Sequence, residues 1–189
     1  MANSNKEDQK LAKDNHKDNQ KAKTNGASNT AQPTDNRPEF VIQSVYVKDV
    51  SFESPSTPAI FKEQWHPDLN LQLQASTNLL EENVHEVSLA VTVTVKSNEK
   101  IAFIAEVKQS GIFTIKNFSP DQLHAILGSV CPGILYPYAR ERIANLVTGG
   151  GFPQLALAPL DFDALYHQQM AQQKQSADAT KIITEEEQG

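Results

Sequence analysis

Between residues 40 and 116 the apolar positions recur at every second residue more often than at helical spacing, and a period of two marks a sheet with one buried face. The run FVIQSVYVKDVSFE, residues 40 to 53, is dense in β-branched and aromatic residues without Gly or Pro, which predicts a long first strand ended by Pro55 and Pro58. Leu69, Leu71, Leu73 and Ala75 alternate with Asn70, Gln72, Gln74 and Ser76 in a second strand. Val87, Leu89, Val91, Val93 and Val95 form the buried side of a third, over residues 84 to 96. A fourth runs from Ile101 to Lys116 with Ile101, Phe103, Ala105, Val107, Phe113 and Ile115 inward and Ile104, Glu106 and Lys108 outward. Gly111 inside it is expected to mark a bulge or a bend.

The period changes after Phe118. Ser119 is suited to the N-cap, Pro120 to the first helical position, and Gln122 completes a capping box, after which Leu123, Ile126, Leu127 and Val130 fall on one helical face. Cys131-Pro132-Gly133 is expected to break that helix. A second one then covers about 134 to 148, with Pro137 in its first turn, and Gly149, Gly150 and Gly151 end it. After an extended FPQLALAPL stretch, Asp161 can cap a last helix carrying Phe162, Leu165 and Tyr166 on its apolar side, with a Gln-rich end that frays. Since all strands precede all helices, the fold class is α+β: a four-stranded antiparallel sheet followed by helices packed on one face.

Composition sets the boundaries. Residues 1–39 contain no Phe, Tyr, Trp, Ile or Val before the phenylalanine at 40, too little apolar area to offset the entropy of ordering a chain, so this segment reads as a disordered polar extension. The folded domain is expected over 40–172, and a flexible acidic tail over 173–189. With 17 Lys plus Arg against 23 Asp plus Glu, the net charge of −6 lacks the cationic excess that a nucleic-acid binder needs. No apolar run is long enough to span a bilayer, and the start of the chain has no apolar signal segment, so no membrane insertion and a cytoplasmic location are expected.

Catalytic patterns are absent from the sequence. The five histidines lack metal-ligand spacing, the triple glycine lacks the Lys-Ser/Thr of a phosphate loop, and Cys131, the single cysteine, sits where a small buried residue is commoner than a nucleophile. No metal or cofactor is expected and the chain does not read as an enzyme, although a small α+β enzyme or ligand carrier stays open as an alternative. Two features stand out. If strands one and four pair, Asp49 and Glu53 join Glu106 on one face, which is either a solvated sheet surface or a docking site for a basic partner. The long crossover from Ser54 to Pro67 carries Ile60, Phe61 and Trp65; these either tuck onto the body or line an apolar groove together with Phe152, Leu155 and Leu157.

The stretches YVKDVSFE (46–53), EVKQSGIF (106–113), CPGILYPYARERI (131–143) and GGFPQLALAPLDFDALY (150–166) resemble the SecB family of bacterial protein-export chaperones, in colinear order over about residues 40 to 167. The resemblance implies a cytosolic, ATP-independent holdase that binds unfolded secretory precursor proteins and delivers them to the translocase ATPase SecA. It also implies a homotetramer built as a dimer of dimers. Position by position, it places a SecA-docking surface on Asp49, Glu53, Ile104 and Glu106, Ile104 standing where a Leu is familiar. It places residues that affect subunit assembly on Ala105, Val107 and Gln109, and a client groove on Phe61, Trp65, Phe152 and Leu155. A SecB-like chaperone dedicated to another client, such as an antitoxin, is the alternative within the class. The polar extension has no counterpart in compact members, and a contact between the C-terminal tail and the zinc-bearing end of SecA is implied without assigned residues.

Overall fold

The computed structural model of the chain describes residues 36–186. Four strands form one antiparallel sheet: β1 (Glu39–Glu53), β2 (Pro67–Glu81), β3 (Val84–Ser97) and β4 (Lys100–Lys116), in the order β1-β4-β3-β2. Consecutive β2, β3 and β4 make a meander, and β1 returns through the crossover to pair with β4. The β3–β4 turn has Asn98 and Glu99 both at positive φ, as a tight two-residue hairpin requires. The expected strands are all present, with the expected alternation except at Ile101, and β1 starts at Glu39, inside the segment expected to be disordered; residues 1–35 of that segment lie outside the described residues.

The pleat sends Val87, Leu89, Val91, Val93 and Val95 of β3 and Phe103, Ala105, Val107 and Phe113 of β4 to one buried face. The helical layer covers that face. α1 (Pro120–Ala125) begins with the expected capping box, Ser119 Oγ accepting from the Gln122 amide and the Gln122 side chain accepting from the Ser119 amide. It runs through a π turn (Ile126–Val130) directly into α2 (Cys131–Gly149). Cys131-Pro132-Gly133 therefore does not interrupt the helix. The turn widens instead, the Cys131 amide donating to the Ile126 carbonyl five residues back, and this makes room for a proline that would otherwise clash with the preceding turn. Pro137 consequently lies in the interior of α2. Leu135, Ala139, Ile143 and Val147 of α2 are fully buried against the sheet.

α3 (Phe162–Glu186) is capped by Asp161, whose Oδ1 accepts from the Ala164 amide at 3.0 Å. It rests on the π turn: the Tyr166 ring occupies the place a side chain at Gly128 would take, and Ser129 Oγ donates to Asp163. The helix continues to Glu186, so the segment expected to be a flexible tail from residue 173 is helical over most of its length, and residues 187–189 lie outside the described ones.

The irregularities of the sheet fall elsewhere than Gly111. Gly111 pairs in register with Val45 and Val87; a Cβ there would meet the Phe113 ring at 2.8 Å and Leu135 Cδ2 at 3.1 Å, so glycine serves close approach of α2, not a bulge. The extra residues are Gln43 and Lys48 of β1, Leu80 of β2 and Ala102 of β4, where the register shifts. The last of these turns Ile101 opposite Lys96 and off the core face. The Lys48 bulge carries an ionic contact across the sheet: Lys48 Nζ donates to Glu86 Oε1 and Oε2 at 2.7 and 2.9 Å, and the Tyr46 hydroxyl donates to the same carboxylate. Lys48 first, then Tyr46, hold the Glu86 carboxyl below its ordinary pKa, while the Tyr46 phenol, bonded to that carboxylate, is pushed up to about 12.

Gly111→Ala is expected to overpack the β4–α2 contact and destabilise the fold by about 1–3 kcal/mol, measured as a lowered urea midpoint. Because the folded pKa of Glu86 is depressed, its contribution is complete above the unfolded-state value of about 4.3 and is lost as pH falls through the folded value. Urea titrations of the wild type and Glu86→Gln should therefore differ at pH 7 and converge in acid.

Candidate functional site

Two surfaces arise from this architecture. The first is aromatic. Pro58 leads into a short 3₁₀ turn (Ala59–Lys62) whose Ile60 side chain is buried and anchors the crossover. On the far side of Trp65 the His66 amide donates to Ser97 Oγ at 3.0 Å, and the β3–β4 turn holds the segment from below, Asn98 Nδ2 donating to the Gln64 carbonyl at 3.1 Å and Lys100 pairing with Glu63. The crossover is thus pinned at both ends, and Phe61 and Trp65 are held over the end of α2.

There the chain reverses at Gly150 and Gly151. Gly151 has φ +83°, which only glycine adopts without strain, and the Phe152 amide donates to the Val147 carbonyl at 3.2 Å. Phe152 becomes the hub of the cluster: its ring centroid lies 4.9 Å from Phe103, 5.1 Å from Phe61, 5.8 Å from Trp65 and 6.4 Å from Phe52. Phe152 itself is 5% exposed and Phe61 51%, so the cluster has a dry floor and an open aromatic edge. Aromatic pairs at such spacings contribute about 0.5–1.5 kcal/mol each beyond area burial, enough to hold rings in place with one side exposed.

Three of the four expected groove residues, Phe61, Trp65 and Phe152, therefore converge. Leu155 lines a separate hollow along α2 with Pro137, Ala144 and Leu157, apart from the rings. Sequence reasoning missed Phe52 and Phe103, which appear only as inward strand positions until the β1–β4 pairing sets Phe52 opposite Ala105 and its ring 5.8 Å from Phe103. It also missed a mostly apolar cleft of about 410 Å³ on the other side of Phe52, between Val50 of β1 and Leu146, Gly149 and Gly150 of α2 and its end. The signal for it was Gly150, where a Cβ would meet the Phe52 ring at 2.3 Å.

The second surface is the open face of the sheet. The β1–β4 register sets Asp49 opposite Lys108, Ser51 opposite Glu106 and Glu53 opposite Ile104, so Asp49, Glu53, Ile104 and Glu106 share the face away from the helices. Thr92, opposite Glu106 on β3, donates to its Oε2 at 3.0 Å and fixes that carboxylate. Lys108 places one cation among three carboxylates, leaving the set negative. Ala105, Val107 and Gln109 alternate with it and are buried beneath the helical layer; Gln109 Nε2 donates to the Tyr46 carbonyl at 2.8 Å, and its Oε1 has no partner among the described residues.

No group of His, Cys, Asp or Glu among the described residues could hold a metal ion. Burial pushes the Cys131 thiol up to about 12, the opposite of an activated nucleophile. No helix among the described residues is long and apolar enough to cross a membrane.

Residues 33–173 match the family described as "Preprotein translocase subunit SecB". A protein-export protein SecB of Legionella pneumophila (strain Corby) is 52% identical over 156 residues, covering 82% of this chain and 95% of the relative. Those of Nitrosococcus oceani and Pseudomonas fluorescens are 52% and 50% identical, covering 76% and 79% of this chain and 88% and 93% of theirs. Among solved structures, a SecB-like chaperone of Mycobacterium tuberculosis in complex with a peptide from an antitoxin superposes with a TM-score of 0.54 at 16% identity, covering 64% of this chain and 90% of that one, a likeness of fold. With most of its length matched and half of the aligned residues identical, this chain belongs to the SecB family.

Proposed function

We propose that this chain is an ATP-independent holdase of the cytoplasm that binds unfolded secretory precursors, keeps them competent for translocation and delivers them to SecA. The observation that carries this reading is the convergence of Phe61, Trp65 and Phe152 into one pinned, half-open aromatic groove. An unfolded chain exposes apolar side chains that a folded protein hides, so an open apolar groove discriminates by folding state and not by sequence. Each such side chain buried contributes roughly 1.5–3 kcal/mol before ordering costs. SecB is not an enzyme family, and capture of this kind calls for no catalysis. The antitoxin-bound chaperone resembles this chain in fold at 16% identity, whereas relatives identical at half of the aligned positions are named for protein export, and the export reading follows the latter.

In this reading the face bearing Asp49, Glu53, Ile104 and Glu106 is the SecA-docking surface: carboxylates steer a basic partner and Ile104 adds apolar contact at their centre. The working unit is a homotetramer, a dimer of dimers. Support for assembly comes from exposed apolar residues on the outer edge strand, Val41, Ile42 and Val50, on the π turn, Val130, and on α2, Tyr138. Ala105, Val107 and Gln109, packed under the helices, influence assembly through the seating of α2 and not by touching another subunit. In this reading the end of the chain supplies a second contact to SecA.

Trp65→Ala should weaken capture of a urea-diluted precursor roughly ten- to a hundredfold while gel filtration shows the same oligomer. An unchanged affinity would remove Trp65 from the groove. Asp49→Lys combined with Glu106→Lys should abolish SecA pulldown and leave client capture intact; SecA retained by the double variant would refute the docking assignment.

A further inference from the structure

We infer that the Lys48 bulge, clamped from one side of the sheet by Glu86 and from the other by Gln109, is the device that turns the acidic face outward, so that Glu86 and Gln109 position a docking surface to which neither belongs. This deepens the docking reading above and rests on it.

Parity makes the bulge necessary. Val45 and Val47 sit opposite Gly111 and Gln109, on the buried face. In an unbroken strand the next residues on that side would be Asp49, Ser51 and Glu53, driven against Ala105 and Val107 beneath α2, while Val50 and Phe52 would turn to water. One added residue inverts the order. With Lys48 unpaired, Asp49 meets Lys108 and Glu53 meets Ile104 outside, while Val50 and Phe52 meet Val107 and Ala105 inside. The same residue thus places Phe52 in the aromatic cluster and the carboxylates on the open face.

An extra residue breaks the ladder locally, and two contacts offset this. From the core side, Gln109 Nε2 donates to the Tyr46 carbonyl at 2.8 Å, two residues before the bulge. From the open side, Lys48 Nζ and the Tyr46 hydroxyl both donate to Glu86 of β3. Glu86 is not a neighbour of β1, since β4 lies between them. The residues bridged over include Ser110 of β4, opposite both Tyr46 and Ser88, with the two serine hydroxyls 2.7 Å apart. Small side chains there leave room for Tyr46 and Lys48 to reach across. Glu86 is 7% exposed, and a carboxylate so enclosed is costly to leave unpaired, which makes the position of Lys48 exacting.

Charge exchange tests this with a sign that simple electrostatics does not share. Lys48→Glu adds negative charge beside the acidic face, and attraction to a basic partner would strengthen; the clamp predicts instead that SecA binding falls about tenfold or more. Glu86→Lys should do the same, and the double exchange, with net charge unchanged from the wild type, should restore most of the binding. Binding by Lys48→Glu equal to or tighter than the wild type, or no recovery in the double exchange, overturns the proposal. A partner-free readout keeps it testable on its own. Cys131 is buried, so a thiol at Ser51→Cys, opposite Glu106, can be labelled selectively. Labelling should slow several-fold when Lys48→Glu or Glu86→Lys is added and recover in the exchange; an unchanged rate refutes the clamp. Failure of the docking reading has a different signature, namely SecA binding indifferent to Asp49→Lys with Glu106→Lys.

Discussion

A pleated strand has two faces, and a sheet covered by helices on one side must present apolar residues there and polar ones opposite. In this chain that constraint bears hardest on β1, an edge strand that joins both functional surfaces: Phe52 belongs to the aromatic cluster, and the flanking Ser51 and Glu53 belong to the open face. The pairing of β1 with β4 decides both at once. A slip of one residue would send Phe52 to water and carboxylates to the core, which is why the bulge at Lys48 is held by a buried amide on one side and a buried carboxylate on the other.

Above the sheet, α2 supplies the cover and its glycine end supplies the turn that sets Phe152. The aromatic cluster is therefore composed of elements far apart in sequence, each fixed by ordinary local chemistry: a crossover pinned to a hairpin turn, a helix end that reverses at a positive-φ glycine, and a strand in shifted register. None of these supplies sequence-specific recognition. Several such grooves on one assembly would gain from the high local concentration of a single long client, so weak individual contacts suffice. In the proposed function, release needs no nucleotide, only a partner that takes the chain away.

The strands, their apolar alternation, the capping box at Ser119 and the cap at Asp161 were legible because each is written in residues a few positions apart. The grouping of Asp49, Glu53 and Glu106 followed from alternation once β1 was assumed to pair with β4, and Ile104 joined it through the family resemblance. What stayed hidden depended on distant geometry. Extra residues such as Lys48 and Ala102 carry no glycine signature, so the irregularity was assigned to Gly111, whose real role is to let α2 come close. Pro132 reads locally as a breaker, but a π turn absorbs it where packing of α2 on the sheet outweighs the local preference. Phe103 gave no sign of its part in the groove because core and groove aromatics look alike until the rings are placed, and Leu155 looked equivalent to Phe152 although it faces a different hollow.

Trp65 is the sole tryptophan of the chain, so its emission reports on the groove directly. The decisive measurement is a fluorescence titration with a tryptophan-free precursor, once reduced and unfolded and once natively folded, without nucleotide. A saturable change in emission with the unfolded form alone is the outcome this account requires. Unfolded precursor that co-elutes with the protein while Trp65 emission stays constant would place client binding elsewhere and contradict it.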